Sequence, residues 1–377
     1  KGQLYAGTEG GMFVSFDDGA NWSPFELNLP PVPITDLAIR HDSLVAATQG
    51  RGFWVLDDLF MAREAAAGIG EEPVQVFAAK ETVMIGGRGW SSEEFEAPNP
   101  ASGARIFYYL EEAVGEDSDP LSIEIFDSEG DLVRSFSSAE SARERCLLGN
   151  SDPRRPYKPK YPSAKAGLNH WDWRGDRQGF TCVDDITLFA GLHGPRVLPG
   201  EYTARISAGG HSDETTFELK ADPRRQATAE ETTEWAARVD ETAALLENVL
   251  NDLGELRHSQ AQIESLMANH TDDAALQQSG KAAVAAITAW DHQVIQHLHE
   301  TYEDEDAWET RLAGQLRYLL DVIEHSGAPV TAGALERLQD FKTQVAELNR
   351  EKARIERVLI TPINEQAKSQ GFPHVAY

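Results

Sequence analysis

The sequence predicts a multidomain chain in which β structure is followed by α structure. Three observations carry this: a repeat of short strands at the start, strands at irregular spacing through the middle, and helical periodicity from Thr228 onward. The repeat comes first. Leu4-Tyr5-Ala6-Gly7-Thr8-Glu9-Gly10 returns forty residues later as Leu44-Val45-Ala46-Ala47-Thr48-Gln49-Gly50. The same offset pairs Phe13 with Phe53 and Asp17-Asp18 with Asp57-Asp58. A period of about forty residues made of short strands is the spacing of one β-propeller blade, and propellers close only with several blades. Residues 1–62 are therefore expected to be truncated terminal blades, about one and a half of them. The chain, whose first residue is Lys1, is expected to be the C-terminal piece of a larger protein.

After a short Ala/Gly/Glu stretch from Ala65 to Glu72, residues 73–224 return to strands. Period-two alternation marks Arg105–Leu110, Leu121–Phe126 and Tyr202–Ile206, and Asp127-Ser128-Glu129-Gly130 reads as the turn of a hairpin into Leu132–Phe136. A β-sandwich is the natural packing for such strands. Two long excursions interrupt it, 137–165 with four prolines and the Gly-rich 175–195. Residues 226–377 read as an antiparallel four-helix bundle. Thr228-Ala229-Glu230-Glu231 is a capping box, and Trp235, Val239, Leu246, Val249, Leu253 and Leu256 follow on one apolar stripe. Further helices are expected near 272–300, 306–325 and 331–359, with Pro362 stopping the last.

The net charge of −28 argues against nucleic acid as a partner, because phosphate binding needs a basic face. The charge is spread: residues 226–377 carry 12 Lys/Arg and 26 Asp/Glu, about half of the total. No run approaches the length of a membrane span. Cys146 and Cys182, 36 residues apart, flank a Pro- and Arg-rich insertion. They read either as one disulfide stapling that insertion or as two unrelated buried thiols.

Ser15-Phe16-Asp17-Asp18-Gly19-Ala20-Asn21-Trp22 fits the Asp-box, Ser-x-Asp-x-Gly-x-x-Trp. The physics is a tight turn: the Asp carboxylate accepts hydrogen bonds, Gly permits positive φ, and Trp fills space between blades. The segment resembles the BNR repeats of sialidases, xyloglucanase-like glycosidases and sortilin-type receptors. In those families the box is structural, which makes Ser15, Asp17, Gly19 and Trp22 fold residues. Thr48–Leu59 looks like the closing repeat of large secreted bacterial proteins described as glycosyl hydrolase or sortilin/BNR-like. The similarity continues through Ala97–Ala104, Gly167–Arg174, Gly194–Thr203 and Asp222-Pro223-Arg224, in the same order. The resemblance implies an Ig-like sandwich in the middle and export to the periplasm or beyond. It also implies an upstream propeller of the same protein as partner. The implied function is that of an accessory, structural region of an exported glycosyl hydrolase-like propeller protein. The alternative is a non-catalytic sortilin-like scaffold for proteins or peptides.

Glycosidase chemistry needs two carboxylates facing each other across a cleft. Asp57-Asp58 at a strand end is the most tempting pair, although hydrogen-bonded turn acceptors are the simpler reading. Arg51, between Gly50 and Gly52, stands where a guanidinium could reach a ligand carboxylate. Arg51, Trp54, Asp57 and Asp58 are thus the candidate binding residues, with a carbohydrate or a peptide as the open ligand. No catalytic residue is assigned and no cofactor is expected. His292, His297 and His299 are expected on one helix, but their spacings do not suit a metal pair. Trp171 and Trp173, two apart, read as sandwich core rather than as a sugar-stacking pair.

Overall fold

Apolar alternation in the first sixty residues produces two antiparallel three-stranded sheets. The structure, a computed structural model, describes residues 2–77, 79–85, 103–115 and 118–377, and it is mixed β and α. The first sheet is β1 (Leu4–Thr8), β2 (Gly11–Ser15) and β3 (Ser23–Pro24); the second is β4 (Ile34–Arg40), β5 (Ser43–Thr48) and β6 (Phe53–Leu56). The forty-residue offset carries β1 onto β5 and most of β2 onto β6. It would carry β3 onto Arg63–Glu64, but that segment lies in helix α1 (Phe60–Ala67). The stretch from Ala65, which reads as a linker or a turn of helix, thus begins inside a helix. Asp42 holds it in place, accepting the Phe60 amide at 2.8 Å and the Arg63 guanidinium at 2.7 Å. Met12, Leu29, Ile34, Leu44, Ala46 and Leu59 bury the core shared by the two sheets.

The middle of the chain forms two further sheets. One has the order β12 (Gly167–Trp173), β9 (Ala104–Leu110), β7 (Val74–Val76). The other is β11 (Leu132–Ser137), β10 (Ser122–Phe126), β13 (Gly200–Ala208), β14 (His211–Lys220) and the short β8 (Thr82–Val83), which runs parallel to β14. They face one core: Ile106 and Tyr108 from the first sheet meet Ile123, Ile125, Ala204 and Ile206 from the second. The β10–β11 hairpin turns where the sequence places it, with Asp127 accepting the Glu129 and Asp131 amides at 3.0 and 2.9 Å and Gly130 at φ +87°. Gly103 is required by close approach, since a Cβ there would lie 1.9 Å from the Trp173 carbonyl oxygen. The expected Ala97–Ala104 motif otherwise lies mostly outside the described residues. The sheets of the first sixty residues are tied to β9 by Arg105, which pairs with Asp58 at 3.5 Å and Asp172 at 2.7 Å, and by an edge-on contact of Phe60 with Phe107.

The 137–165 excursion contains helix α2 (Ala142–Gly149). The helical region then begins at α3 (Ala229–Asn269), where Thr228 Oγ1 accepts the Glu231 amide at 3.1 Å and the Glu231 carboxylate accepts the Thr228 amide at 2.8 Å. Helices α4 (Ala274–Val294), α5 (Leu312–Ser326) and α6 (Ala332–Arg354) complete the layer with α3. Leu246, Leu253, Ile287, Trp290, Leu316, Leu320 and Phe341 form the center of their core. Phe180, Val183, Ile186 and Leu192 from the 175–195 excursion are buried in that same core. This excursion therefore joins the strands to the helices.

Two details depart from the sequence reading. Pro362 does not stop the last helix. A π-helical turn over Ile355–Ile360 follows α6, and Pro362 falls in the first turn of α7 (Thr361–Gln370). A proline is tolerated in a first turn because its missing N–H would have no partner there. The second concerns the histidines. Helix α4 ends at Val294, so His297 and His299 follow it rather than extend it. His297 Nε2 instead meets Asp291 at 2.8 Å, and that buried carboxylate also accepts two bonds from Arg257. Among the described residues, no group of three or more His, Cys, Asp or Glu is placed to hold a metal.

Candidate functional site

The Asp-box turn is built as its residue types dictate. Ser15 Oγ donates to Asp17 at 2.8 Å and accepts the Gly19 amide at 2.8 Å. Asp17 accepts the Asn21 amide at 2.8 Å and the Asn21 side chain at 2.7 Å. These bonds hold its carboxyl down at about 2, the Asn21 amide contributing most. Gly19 sits at φ +93° and its carbonyl accepts the Trp22 indole N–H at 3.1 Å. The side chains of Ser15, Asp17 and Trp22 are thus spent on the turn itself.

The candidate binding residues of the second sheet are spent similarly. Asp57 accepts the Ser43 hydroxyl at 2.6 Å, and Asp58, at φ +58°, faces Arg105. Burial raises the Asp58 carboxyl and Arg105 lowers it, burial being the larger effect. The Arg51 carbonyl accepts the Trp54 indole N–H at 3.1 Å, so Trp54 is pinned to the turn before its strand. Arg51 lies in the turn before β6 and Asp57 and Asp58 lie past its other end, so the four residues are not brought together at one end of the sheet, and none of them lines the cavity described below.

A large cavity lies elsewhere, where the edge strand β11 meets α2, the 186–193 segment and Tyr302. It measures about 980 Å³. Its walls are fastened from several sides. Cys146 of α2 is disulfide-bonded to Cys182. Asn150 donates to the Val183 carbonyl at 2.5 Å and accepts the Ile186 amide at 3.2 Å. Thr181 is bound to Glu247 of α3 at 2.9 and 2.7 Å, and Asp152 accepts the Tyr302 amide at 3.0 Å.

The 137–165 segment, which supplies part of these walls, runs against the rest of the molecule in charge. Residues 137–165 carry seven Lys/Arg against three Asp/Glu, a net +4 in a chain of net −28. Arg134 pairs with Asp176. Arg143, its neighbour, donates to the Phe180 carbonyl and, at 2.7 Å, to the Leu192 carbonyl; it has no carboxylate partner among the described residues. Burial lowers its guanidinium below the ordinary value. Arg155 lies over the Tyr302 ring at 5.3 Å.

His193 stands on the same wall, its ring open to the cavity yet ringed by protein. Fully buried Arg317 of α5 is behind it, donating to a His193 ring nitrogen, to the Gly191 carbonyl at 3.2 Å and to Asp321 at 2.7 Å. Arginine has only donors, so the nitrogen facing it must be unprotonated. The protein packed around this still exposed ring, then Arg317, Arg174, Arg134 and Arg196, push the imidazole down to about 3. The linkage sign follows. The unfolded chain binds the extra proton below about 6.5, so stability is complete above that pH and falls as pH drops toward 3. An NMR titration should find His193 neutral at pH 5; protonation near the ordinary value would contradict this.

None of Arg134, Arg143, His193 or Arg317 was legible as a site, because they come from β11, α2, the 186–193 segment and α5. The one available signal was the charge inversion of residues 137–165. Compared with known proteins, the chain matches no family model and no curated protein sequence.

Proposed function

We propose that this chain is an accessory region of an exported β-propeller protein of the glycosyl hydrolase-like kind, contributing support and binding rather than turnover. The observation that carries the reading is the first sixty residues: an Asp-box turn followed, at forty-residue offset, by a second three-stranded sheet. The outer face of that second sheet is also left uncovered by the described residues. Phe53 is 78% exposed and Val55 58%, and Val45 and Ala47 stand opposite them in register. Such a face suits another blade stacked upon it. On this reading the partner is an upstream propeller, the middle sheets are the Ig-like module, and the helices brace it. The disulfide between Cys146 and Cys182 favours an oxidising compartment, outside the cytoplasm.

Asp57 and Asp58 serve the fold here through Ser43 and Arg105. Incubating the purified chain with a panel of aryl glycosides tests this directly. No turnover above buffer is the expected result. Turnover that disappears in Asp57→Asn or Asp58→Asn would place a catalytic carboxylate in this region and overturn the reading.

A further inference from the structure

We propose that the cavity beside α2 binds a carboxylate-bearing sugar, a uronic acid unit of an acidic glycan, with Arg143, Arg155 and Lys160 around the carboxylate and Tyr157 beneath the ring. The cations are the first argument. All three line the cavity and none has a carboxylate partner among the described residues. Arg143 uses two of its five N–H donors on backbone carbonyls, leaving the rest for a ligand. A part-buried guanidinium bonded to no carboxylate is costly even with Glu144 and Glu247 nearby, and a bound carboxylate relieves that cost through a charge-assisted pair.

The anion must be weakly charged. Glu124, Glu144 and Asp152 share the walls and oppose a dianion such as phosphate. At the start of α2, where a phosphate would otherwise dock, Ser141 Oγ already accepts the Glu144 amide at 3.2 Å and the Glu144 carboxylate accepts the Ser141 amide at 2.7 Å, placing a negative charge there. A single carboxylate fits this balance.

The remainder of the lining speaks for hydroxyls and a ring. Ser122, Ser135 and Ser137 point from the same face of β10 and β11, opposite the sandwich core, and Ser151 adds a further hydroxyl. Tyr157 is 38% exposed at the cavity. Aromatic faces and hydroxyls side by side suit a polyhydroxylated ring better than an aliphatic acid. The volume of about 980 Å³ lies at the upper end for small-ligand sites and admits more than one sugar unit.

Isothermal titration calorimetry with digalacturonate, lactose, succinate and inorganic phosphate, at matched ionic strength, tests the proposal. Digalacturonate should bind, with lactose, succinate and phosphate at least about tenfold weaker. Arg155→Ala, Lys160→Ala and Tyr157→Ala should each weaken digalacturonate on the order of tenfold while leaving the unfolding midpoint in place. These side chains are exposed, so the fold should survive their loss. Equal binding of lactose would remove the role of the cations. Equal binding of succinate or phosphate would remove the sugar. No binding of digalacturonate at millimolar concentration, or full affinity in all three variants, would overturn the site. The proposal uses nothing from the blade reading, and its failure would leave that reading untouched.

Discussion

Trp173→Ala is expected to cost about 3–5 kcal/mol, the range for emptying a large aromatic site in a core. The side chain has no exposed surface and packs edge-on against Tyr202 and Phe217 at 5.3 and 5.9 Å. Its indole N–H donates to the Asp176 carbonyl at 2.9 Å, so the substitution also strands that acceptor. A chemical denaturation curve should lose this much stability, with a fall in the thermal midpoint of roughly 10 °C. Trp171 is the control. It lies on the same strand face but only partly buried, against Phe136 at 5.0 Å, and its indole N–H has no partner among the described residues. Trp171→Phe removes an unpaired donor and should be within about 1 kcal/mol of wild type. Equal losses in both variants would show that the two tryptophans do not occupy different environments.

The second large effect concerns the disulfide. Cys146→Ser/Cys182→Ser opens a loop of 36 residues, worth about 3–4 kcal/mol in the chain-entropy account. The loss should be local first. α2 buries no side chain fully, and it is held by the disulfide, Asn150 and Arg143. The helical core has its own buried apolar residues and should keep its helical circular dichroism. Trypsin should therefore cut the double variant faster after Arg154 and Lys160, since Arg155 and Lys158 are each followed by a proline, with helix content unchanged. Unchanged protection of these sites would mean that the other contacts suffice. Because the cavity wall is the same segment, digalacturonate binding should be lost with that protection.

How much of this was legible follows from the range of the interactions involved. The α3 start was readable because a capping box needs residues only three apart, and the β10–β11 hairpin because its turn is Asp127 to Gly130. Pro362 misled because the π-helical turn before it displaces the hydrogen-bond register, a feature with no sequence signature of its own. His297 and His299 misled because α4 ends at Val294 and His297 folds back onto Asp291, a contact that helical periodicity does not record. The cavity was the least readable part. His193 and Arg317 meet across a separation of 124 residues, and Arg143 reaches Leu192 across 49. Single-sequence spacing holds no information at that range. The local charge inversion was present, but it read as a Pro- and Arg-rich insertion until its partners came into view.

The central claim is that the first sixty residues are blades of a larger propeller, and the reading frame upstream of Lys1 tests it most directly. Sequencing it should reveal further Asp-box repeats at about forty-residue spacing, behind an export signal. A start codon immediately before Lys1 would contradict the claim, and the exposed Phe53–Val55 face would then need a different partner.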